Sequence, residues 1–194
     1  MTRIILIRHA PTQIDPQRAP AEWALHPEST VLCQQMSVQL RPYGIRAIYA
    51  STEPKAHATG RVLGDQLDVP CAPYPDLHET GGAPFYPDHE RFKQVVRRAM
   101  AEPERLIFGT ETFADARRRF ADALVRLTDQ HRDQTIAVIS HGRVLATYLG
   151  ELMSESSERI WDRLHMPAYA VLNWHTQRIS TIVYRIVLEE ASDE

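Results

Sequence analysis

The sequence predicts an α/β fold whose central sheet is mostly parallel, flanked by helices on both faces and completed by a C-terminal hairpin. Short apolar runs, such as residues 4–7 and 135–140, have the length of strands that are buried on both faces. Segments with apolar residues at helical spacing separate these runs, and residues 112–131 form a strong example. The 194 residues contain no repeat, low-complexity tract or credible linker, so we predict one domain over residues 1–194.

A proline-rich segment follows the first strand, and its proline density excludes a helix over residues 11–27. Two interpretations of this loop stay open: a lid or specificity wall beside a site, or a surface loop with Trp23 packed against the core. The next predicted elements are a helix over 30–41 with Gly44 after it, a strand over 45–50, a helix from Ser51 and Pro54 to Leu67, and an edge strand over 71–74.

The second half of the chain continues the alternation of helices and strands. A glycine-rich loop over residues 77–84 carries one carboxylate, Glu79. The elements predicted after it are helices over 88–100 and 112–131, a strand over 135–140, a helix over 142–149 stopped by Gly150, a helix over 154–164, hairpin strands over 168–174 and 179–188, and a frayed acidic tail over 189–194.

The composition argues against several classes of function. A net charge of -3 gives no reason to expect a nucleic acid or an anionic membrane as partner. The only apolar run near the start is too short for a signal or membrane segment, so we expect a cytoplasmic protein. Cys33 and Cys71 are expected to be buried free thiols. The histidines show no metal-ligand spacing, so neither metal nor cofactor is predicted, and the oligomeric state stays open.

Two predicted strands end in histidine. Arg8 and His9 follow the first apolar run, and His141 follows Ser140 at the end of a later one. Because the carboxyl ends of parallel strands lie at the same edge of a sheet, where ligands bind, both imidazoles should face one crevice. A charged pair at a strand end is not required for packing. The sequence therefore predicts a functional site at this edge.

The residue types at this edge suit phosphoryl transfer. Arginine supplies a planar fork of donors for phosphate oxygens, and a neutral imidazole can carry a phosphoryl group covalently. A nearby carboxylic acid such as Glu79 would help the leaving oxygen depart. The helix that starts at Gly142 would add backbone donors to the phosphate.

Four motifs in this chain resemble those of the histidine phosphatase superfamily, also called phosphoglycerate-mutase-like. They occur in the family's order across residues 3–143 and fall on the expected strands, loops and helices. The motifs are Arg8-His9-Ala10-Pro11-Thr12, Ser51 followed by Lys55-Ala56-His57-Ala58-Thr59, Leu77-His78-Glu79, and Ser140-His141-Gly142. The resemblance implies the family's α/β fold and a metal-independent reaction on a small phosphorylated substrate.

The resemblance also implies roles for individual residues. His9 would be the nucleophile that becomes phosphohistidine, and Glu79 would be the proton donor and then the base. Arg8 and His141 would stabilise the transferred phosphoryl group. Thr12 would help to hold the phosphate or its loop, and Gly142 belongs to the second histidine motif.

The chain departs most clearly from the family pattern at Lys55, where a second phosphate-binding arginine is usual. Of 22 basic residues only Lys55 and Lys93 are lysines, so a general lysine bias does not explain this position. Lysine keeps the charge but loses the two-pronged geometry. Either the pocket is retuned, with Arg143 or Arg18 compensating, or its activity has decayed.

The function that these residues imply is a phosphatase acting through a phosphohistidine on His9. Two alternatives stay open. A mutase would return the phosphoryl group to the product instead of passing it to water. A decayed binding module would hold a phosphorylated ligand without turnover, with Lys55 as the mark of decay. For an active enzyme we expect activity to fall at acidic pH as His9 gains a proton.

Overall fold

A computed structural model describes residues 1–82 and 84–188. Its strands are β1 (Arg3–Arg8), β2 (Ile45–Ala50), β3 (Cys71–Pro73), β4 (Thr135–Ser140), β5 (Ala168–Asn173) and β6 (Arg178–Val183). Its α-helices are α1 (Ser29–Leu40), α2 (Pro54–Leu67), α3 (His89–Ala101), α4 (Phe113–Gln130), α5 (Gly142–Met153) and α6 (Ser157–Arg163). The predicted tail over residues 189–194 lies outside the described residues.

The six strands form one sheet in the order β3-β2-β4-β1-β5-β6. Strands β3, β2, β4 and β1 run parallel to one another, whereas β5 is antiparallel to both β1 and β6. The mostly parallel sheet and the C-terminal hairpin predicted from the sequence are thus confirmed. The neighbouring position of β1 and β4 matters most for the site, because these two strands carry the histidines.

The sheet is covered on both faces, as the uninterrupted apolar strands predict. Alternate residues of β1 point to opposite sides: Ile4 and Leu6 join a core with α3, α4, α5 and α6, whereas Ile5 and Ile7 join a core with α1 and α2. The same alternation holds in β4. No helix of the described residues is long and apolar enough to cross a membrane.

Helix α6 begins at Ser157 instead of residue 154, because Ser156 caps its start, and two predicted ends are wrong for identifiable reasons. Gly150 does not stop α5, which continues to Met153; a β-carbon at Gly150 would lie 2.5 Å from the Ser157 hydroxyl oxygen, so the glycine allows α6 to approach. Strand β6 ends at Val183, five residues before the predicted end. Its partner strand begins just after Pro167, which has no N–H with which to extend the ladder.

The two cysteines are free thiols, as predicted. Cys33 is buried in the core, and burial raises the pKa of its thiol to about 12. Cys71 is half-buried, and burial raises the pKa of its thiol to about 11. Both thiols therefore stay protonated and unreactive at neutral pH.

Candidate active site

The two histidines lie side by side at the carboxyl edge of the sheet. Arg8 pairs with Ser140 at the ends of β1 and β4, so His9 and His141 are the next residues of adjacent parallel strands. The His9 backbone N–H donates to the Ser140 carbonyl at 3.0 Å. The imidazole rings meet edge to face with their centroids 5.1 Å apart. The strand order therefore produces the convergence that the sequence predicts.

His9 is held as a neutral imidazole with one free nitrogen. Its Nδ1 lies 2.8 Å from the Ala10 carbonyl oxygen, which can only accept, so Nδ1 carries the proton and Nε2 keeps its lone pair. Burial lowers the pKa of His9 to about 3, and the charges of Arg8 and Lys55 act in the same direction. The side chain thus has the protonation state and the free Nε2 that a nucleophile needs.

Thr59 fixes the backbone beside this nucleophile. Its buried hydroxyl donates to the Lys55 carbonyl at 2.8 Å and accepts the Ala10 N–H at 3.1 Å. The contact joins the first turns of α2 to the residue after His9. Thr59 is the threonine of the second motif, and the structure gives it a positioning function that its place in a helical motif does not reveal.

His141 is fully buried and keeps one nitrogen unpaired. Its Nε2 lies 2.8 Å from the Ser51 hydroxyl oxygen and 3.4 Å from a Glu53 carboxylate oxygen. The Ser51 oxygen also accepts the Glu53 N–H, so its own proton is available for Nε2; in the tautomer that accepts it, the ring proton is on Nδ1. Nδ1 is buried without a partner in the described residues. Burial, followed by the influence of His9 and of the Lys55 charge, lowers the pKa of His141 well below its usual value.

Arg8 presents a second unpaired donor. One terminal nitrogen donates to the Leu164 carbonyl, while Nε is buried without a partner in the described residues. Burial lowers the pKa of Arg8 to about 10; the charge of Glu79 opposes this shift and the charge of Arg143 adds to it. The guanidinium therefore remains protonated at neutral pH and can meet an anion.

Gly142 supports Arg8 because it has no side chain. A β-carbon there would lie 2.8 Å from the guanidinium carbon of Arg8 and 2.9 Å from its Nε. We expect Gly142→Ala to displace the guanidinium and reduce kcat/KM about 10- to 100-fold, as an error of about 1 Å at a positioned group does. The melting temperature should change little, because alanine favours a helix more than glycine does. An unchanged kcat/KM in a folded variant would show that catalysis does not depend on the position of the Arg8 guanidinium.

Glu79 lies at the start of α5, and both of its carboxylate oxygens accept backbone N–H groups. One oxygen accepts the N–H groups of Thr80 and Val144 at 3.0 Å, and the other accepts the Arg143 N–H at 3.0 Å and lies 3.3 Å from Arg143 Nε. Burial alone raises the pKa of Glu79, but the Arg143 guanidinium and the three N–H groups outweigh it, and the pKa lies below its usual value. Glu79 is therefore ionised at neutral pH.

The backbone N–H groups at the start of α5 have a different partner from the one that the sequence predicts. The sequence predicts that the backbone N–H groups after His141 serve a phosphate, but two of them, at Arg143 and Val144, donate to Glu79. The carboxylate thus takes the place at the positive end of the helix that an anion would otherwise occupy. Gly142 instead contributes by its close packing against Arg8.

Lys55 lies in the same pocket with its ammonium group already bound. The residue is 6% exposed, and Nζ donates to the Pro20 carbonyl at 2.8 Å and to a carboxylate oxygen of Glu53. Sequence reasoning missed Glu53. The available signal was its position two residues after Ser51, at the carboxyl end of β2 and thus at the edge that carries both histidines.

The two arginines proposed to compensate for Lys55 lie elsewhere. Arg18 is on the surface, with its side chain 65% exposed and paired with Asp15, so its observed position does not support that suggestion. Arg143 is buried against Glu79, and its guanidinium carbon lies 5.8 Å and 5.6 Å from the ring centres of Phe92 and Phe108. Arg143 thus adds charge beside Glu79 rather than replacing an arginine at position 55.

The proline-rich loop contacts Phe85, just after the glycine-rich loop. The Trp23 ring packs edge to face on Phe85 with their centroids 5.7 Å apart, and its indole N–H donates to the Asp15 carbonyl at 2.9 Å. Pro20 of the same loop reaches Lys55. These contacts favour the wall interpretation. Thr12 is half-buried and forms a β-bridge with Leu25 in this loop, and no hydrogen bond among the described residues joins its side chain to His9.

The buried neutral His9 predicts a pH dependence of stability. Its pKa is about 3 in the folded state against 6.5 normally, so below pH 6.5 the unfolded chain binds a proton that the folded chain does not. Stability should therefore fall as the pH decreases from 6.5 towards 3, by about 1.4 kcal/mol per pH unit for this group. Urea unfolding of His9→Asn at pH 6, 5 and 4 should give a slope shallower by about that amount. Equal slopes in the variant and the original protein would contradict a neutral buried His9.

No group of three or more histidine, cysteine or acidic side chains in the described part of the chain is placed to hold a metal ion.

The profile of the histidine phosphatase superfamily (branch 1) matches residues 4–185, which include all the site residues described above. No curated protein sequence matches the chain.

Solved structures with a similar fold include three bacterial or protozoan proteins. Bacillus stearothermophilus YhfR is 20% identical with a TM-score of 0.75, and the match covers 94% of this chain and 96% of that one. A mutant phosphoserine phosphatase from Entamoeba histolytica, in complex with phosphoserine, is 16% identical with a TM-score of 0.76, covering 94% and 97%. The α-ribazole phosphatase from Shigella flexneri is 20% identical with a TM-score of 0.71, covering 97% and 100%. These TM-scores show a shared fold.

Proposed function

The chain belongs to the histidine phosphatase superfamily, and we propose that it hydrolyses a small phosphorylated substrate through a covalent phosphohistidine on His9. One observation carries the proposal: a free His9 Nε2 lies in a pocket with two buried nitrogens, Arg8 Nε and His141 Nδ1, that lack partners among the described residues. Leaving a buried donor unpaired costs about 1–3 kcal/mol, so such donors are rare unless a ligand satisfies them. A phosphoryl group has oxygens for both.

In the first step, His9 Nε2 attacks phosphorus, an N–P bond forms and the ester P–O bond breaks. Arg8 and His141 stabilise the charge on the transferred group, with Lys55, Thr12, Gly142 and Arg143 as further proposed contacts. The leaving oxygen needs a proton. Glu79 is ionised in the resting protein, so we propose that the proton arrives on the phosphate monoanion of the substrate and passes to the leaving oxygen through Glu79.

In the second step, water attacks the phosphohistidine. Glu79 takes a proton from the water, the oxygen forms a new bond to phosphorus, and the N–P electron pair returns to His9. Inorganic phosphate is the product, and the proton on Glu79 leaves with it. The low pKa of Glu79 makes the carboxylate available as the acceptor once its proton has been given up.

Similarity in fold to phosphoserine phosphatase and to α-ribazole phosphatase supports a small phosphorylated substrate. The aromatic contact between Trp23 and Phe85 is a candidate wall for the organic part of that substrate. The alternatives are a mutase and a binding module. The engagement of Lys55 by Glu53 leaves one free cation fewer in the pocket, which argues against tight binding of a phosphorylated ligand without turnover.

A screen of phosphorylated metabolites against the purified protein tests the proposal. We expect release of inorganic phosphate and, after rapid acid-free quenching, a phosphohistidine on His9 by mass spectrometry. Isomerised phosphoesters without phosphate release would identify a mutase. Saturable binding of phosphoesters without turnover or phosphohistidine would identify a binding module and overturn the proposal.

A further inference from the structure

Glu53 is a buried carboxylate that the proposed reaction does not use. Its side chain is 11% exposed and contacts three parts of the pocket. One oxygen accepts the Glu79 N–H at 2.8 Å and lies 3.4 Å from His141 Nε2, and the other accepts from Lys55. The carboxylate therefore joins the start of α2, the loop of the proposed acid and the histidine after β4.

The contacts of Glu53 reduce the number of Lys55 donors that a phosphate could use. Two of the three donors of the ammonium group point to the Glu53 carboxylate and to the Pro20 carbonyl. A phosphate that binds beside Lys55 has to compete with a carboxylate for the same cation. A buried ion pair of this kind is strong in its low-dielectric surroundings, so it is not released without cost.

We propose that Glu53 is a positioning residue that weakens phosphate binding by holding the Lys55 ammonium group. The proposal rests on the phosphate pocket of the proposed function. With both histidines neutral, three cations (Arg8, Lys55 and Arg143) face two carboxylates (Glu53 and Glu79), so the pocket carries one net positive charge instead of two. A phosphatase benefits from this balance, because a product that binds too tightly limits turnover.

The test measures the affinity for inorganic phosphate by isothermal titration in the full-length protein. Glu53→Gln should tighten the dissociation constant at least tenfold, because the neutral amide releases Lys55 but its oxygen still accepts the Glu79 N–H. Lys55→Met should weaken it. The double variant should bind phosphate within threefold of Lys55→Met, because Glu53 acts through a cation that this background lacks. Glu53→Asp keeps the charge and should bind phosphate as weakly as the original protein.

The second lysine of the chain provides a matched control. Lys93 pairs with Glu90 at 3.0 Å, but this pair lies on the surface with the Glu90 side chain 70% exposed. Glu90→Gln should leave phosphate affinity unchanged. In turnover, Glu53→Gln should lower both KM and the inhibition constant of phosphate, a pattern that a merely destabilised fold does not produce.

Two results would overturn the inference. One is a Glu53→Gln protein that binds phosphate no more tightly than the original. The other is an equal tightening by Glu53→Gln in the Lys55→Met background, since Glu53 would then act without Lys55. The proposed function fails separately, through lack of phosphate release by the original protein. If Glu53→Gln does not fold, Glu53→Ala in the same titration takes its place with the same expected direction.

Discussion

Replacing His9 with alanine should reduce phosphate release by at least about a thousandfold, the scale seen when a covalent nucleophile is removed. His9 has a free imidazole nitrogen beside His141, and the hydrogen bond between its Nδ1 and the Ala10 carbonyl fixes its tautomer. The phosphohistidine should disappear together with the activity. Arg8 and His141 remain in this variant, so its affinity for inorganic phosphate should persist.

The control for His9→Ala is His175→Ala, because His175 lies exposed in the turn between β5 and β6. It should keep full activity and an unchanged melting temperature. Phosphate binding by His9→Ala separates the loss of the nucleophile from a collapse of the pocket. Turnover retained by a folded His9→Ala protein would contradict the phosphohistidine mechanism.

The sequence predicts the placement of His9 and His141 because it depends on one general property of parallel sheets. Apolar runs of strand length identify β1 and β4, and the shared direction of the strands brings their ends to one edge. The sequence does not reveal that β1 and β4 are neighbours, yet this adjacency brings the rings to 5.1 Å. Strand order depends on the packing of the whole chain.

The partners of the charged side chains were the hardest features to predict. Glu79 and Arg143 are 64 residues apart, and their contact depends on how the glycine-rich loop reaches the start of α5. Glu53 and Lys55 are separated by one residue. Whether their side chains can form an ion pair depends on the backbone conformation between them, which the sequence does not fix. A residue type suggests what a side chain can do, whereas its ionisation state depends on neighbours that only the fold supplies.

Position 55 holds lysine where the family usually has a phosphate-binding arginine. The pairing of Glu53 with Lys55 helps to decide whether this lysine belongs to an active pocket with altered phosphate binding or to a pocket that has lost its activity. A site that has lost its function has no need to bury a second carboxylate against the substituted cation. Here the lysine is 6% exposed, and it is bound by a carboxylate that also contacts the Glu79 backbone and approaches His141. This linkage favours a retuned pocket, in which charge is balanced among all the groups proposed to meet the phosphate.

Substitution of Glu79 should affect both chemistry and stability, and two variants separate these effects. Glu79→Gln keeps an acceptor for the helix N–H groups but cannot shuttle a proton. We expect it to reduce hydrolysis of alkyl phosphates about 100- to 10,000-fold, the range of general acid catalysis. Hydrolysis of p-nitrophenyl phosphate, whose leaving group departs without a proton, should fall much less in the first step.

Glu79→Ala also removes the partner of a buried cation. Arg143 is 7% exposed and its guanidinium would lose its carboxylate, while the Arg143 and Val144 N–H groups would lose their acceptor. Breaking a buried ion pair on one side costs about 3–5 kcal/mol, so urea unfolding should show a loss of that size, larger than for Glu79→Gln. An equal loss in the rate of phosphohistidine formation from alkyl and aryl phosphates in a stable Glu79→Gln protein would make Glu79 a structural cap of α5 rather than a proton carrier. Its low pKa would then serve only to hold Arg143 and the helix start in place.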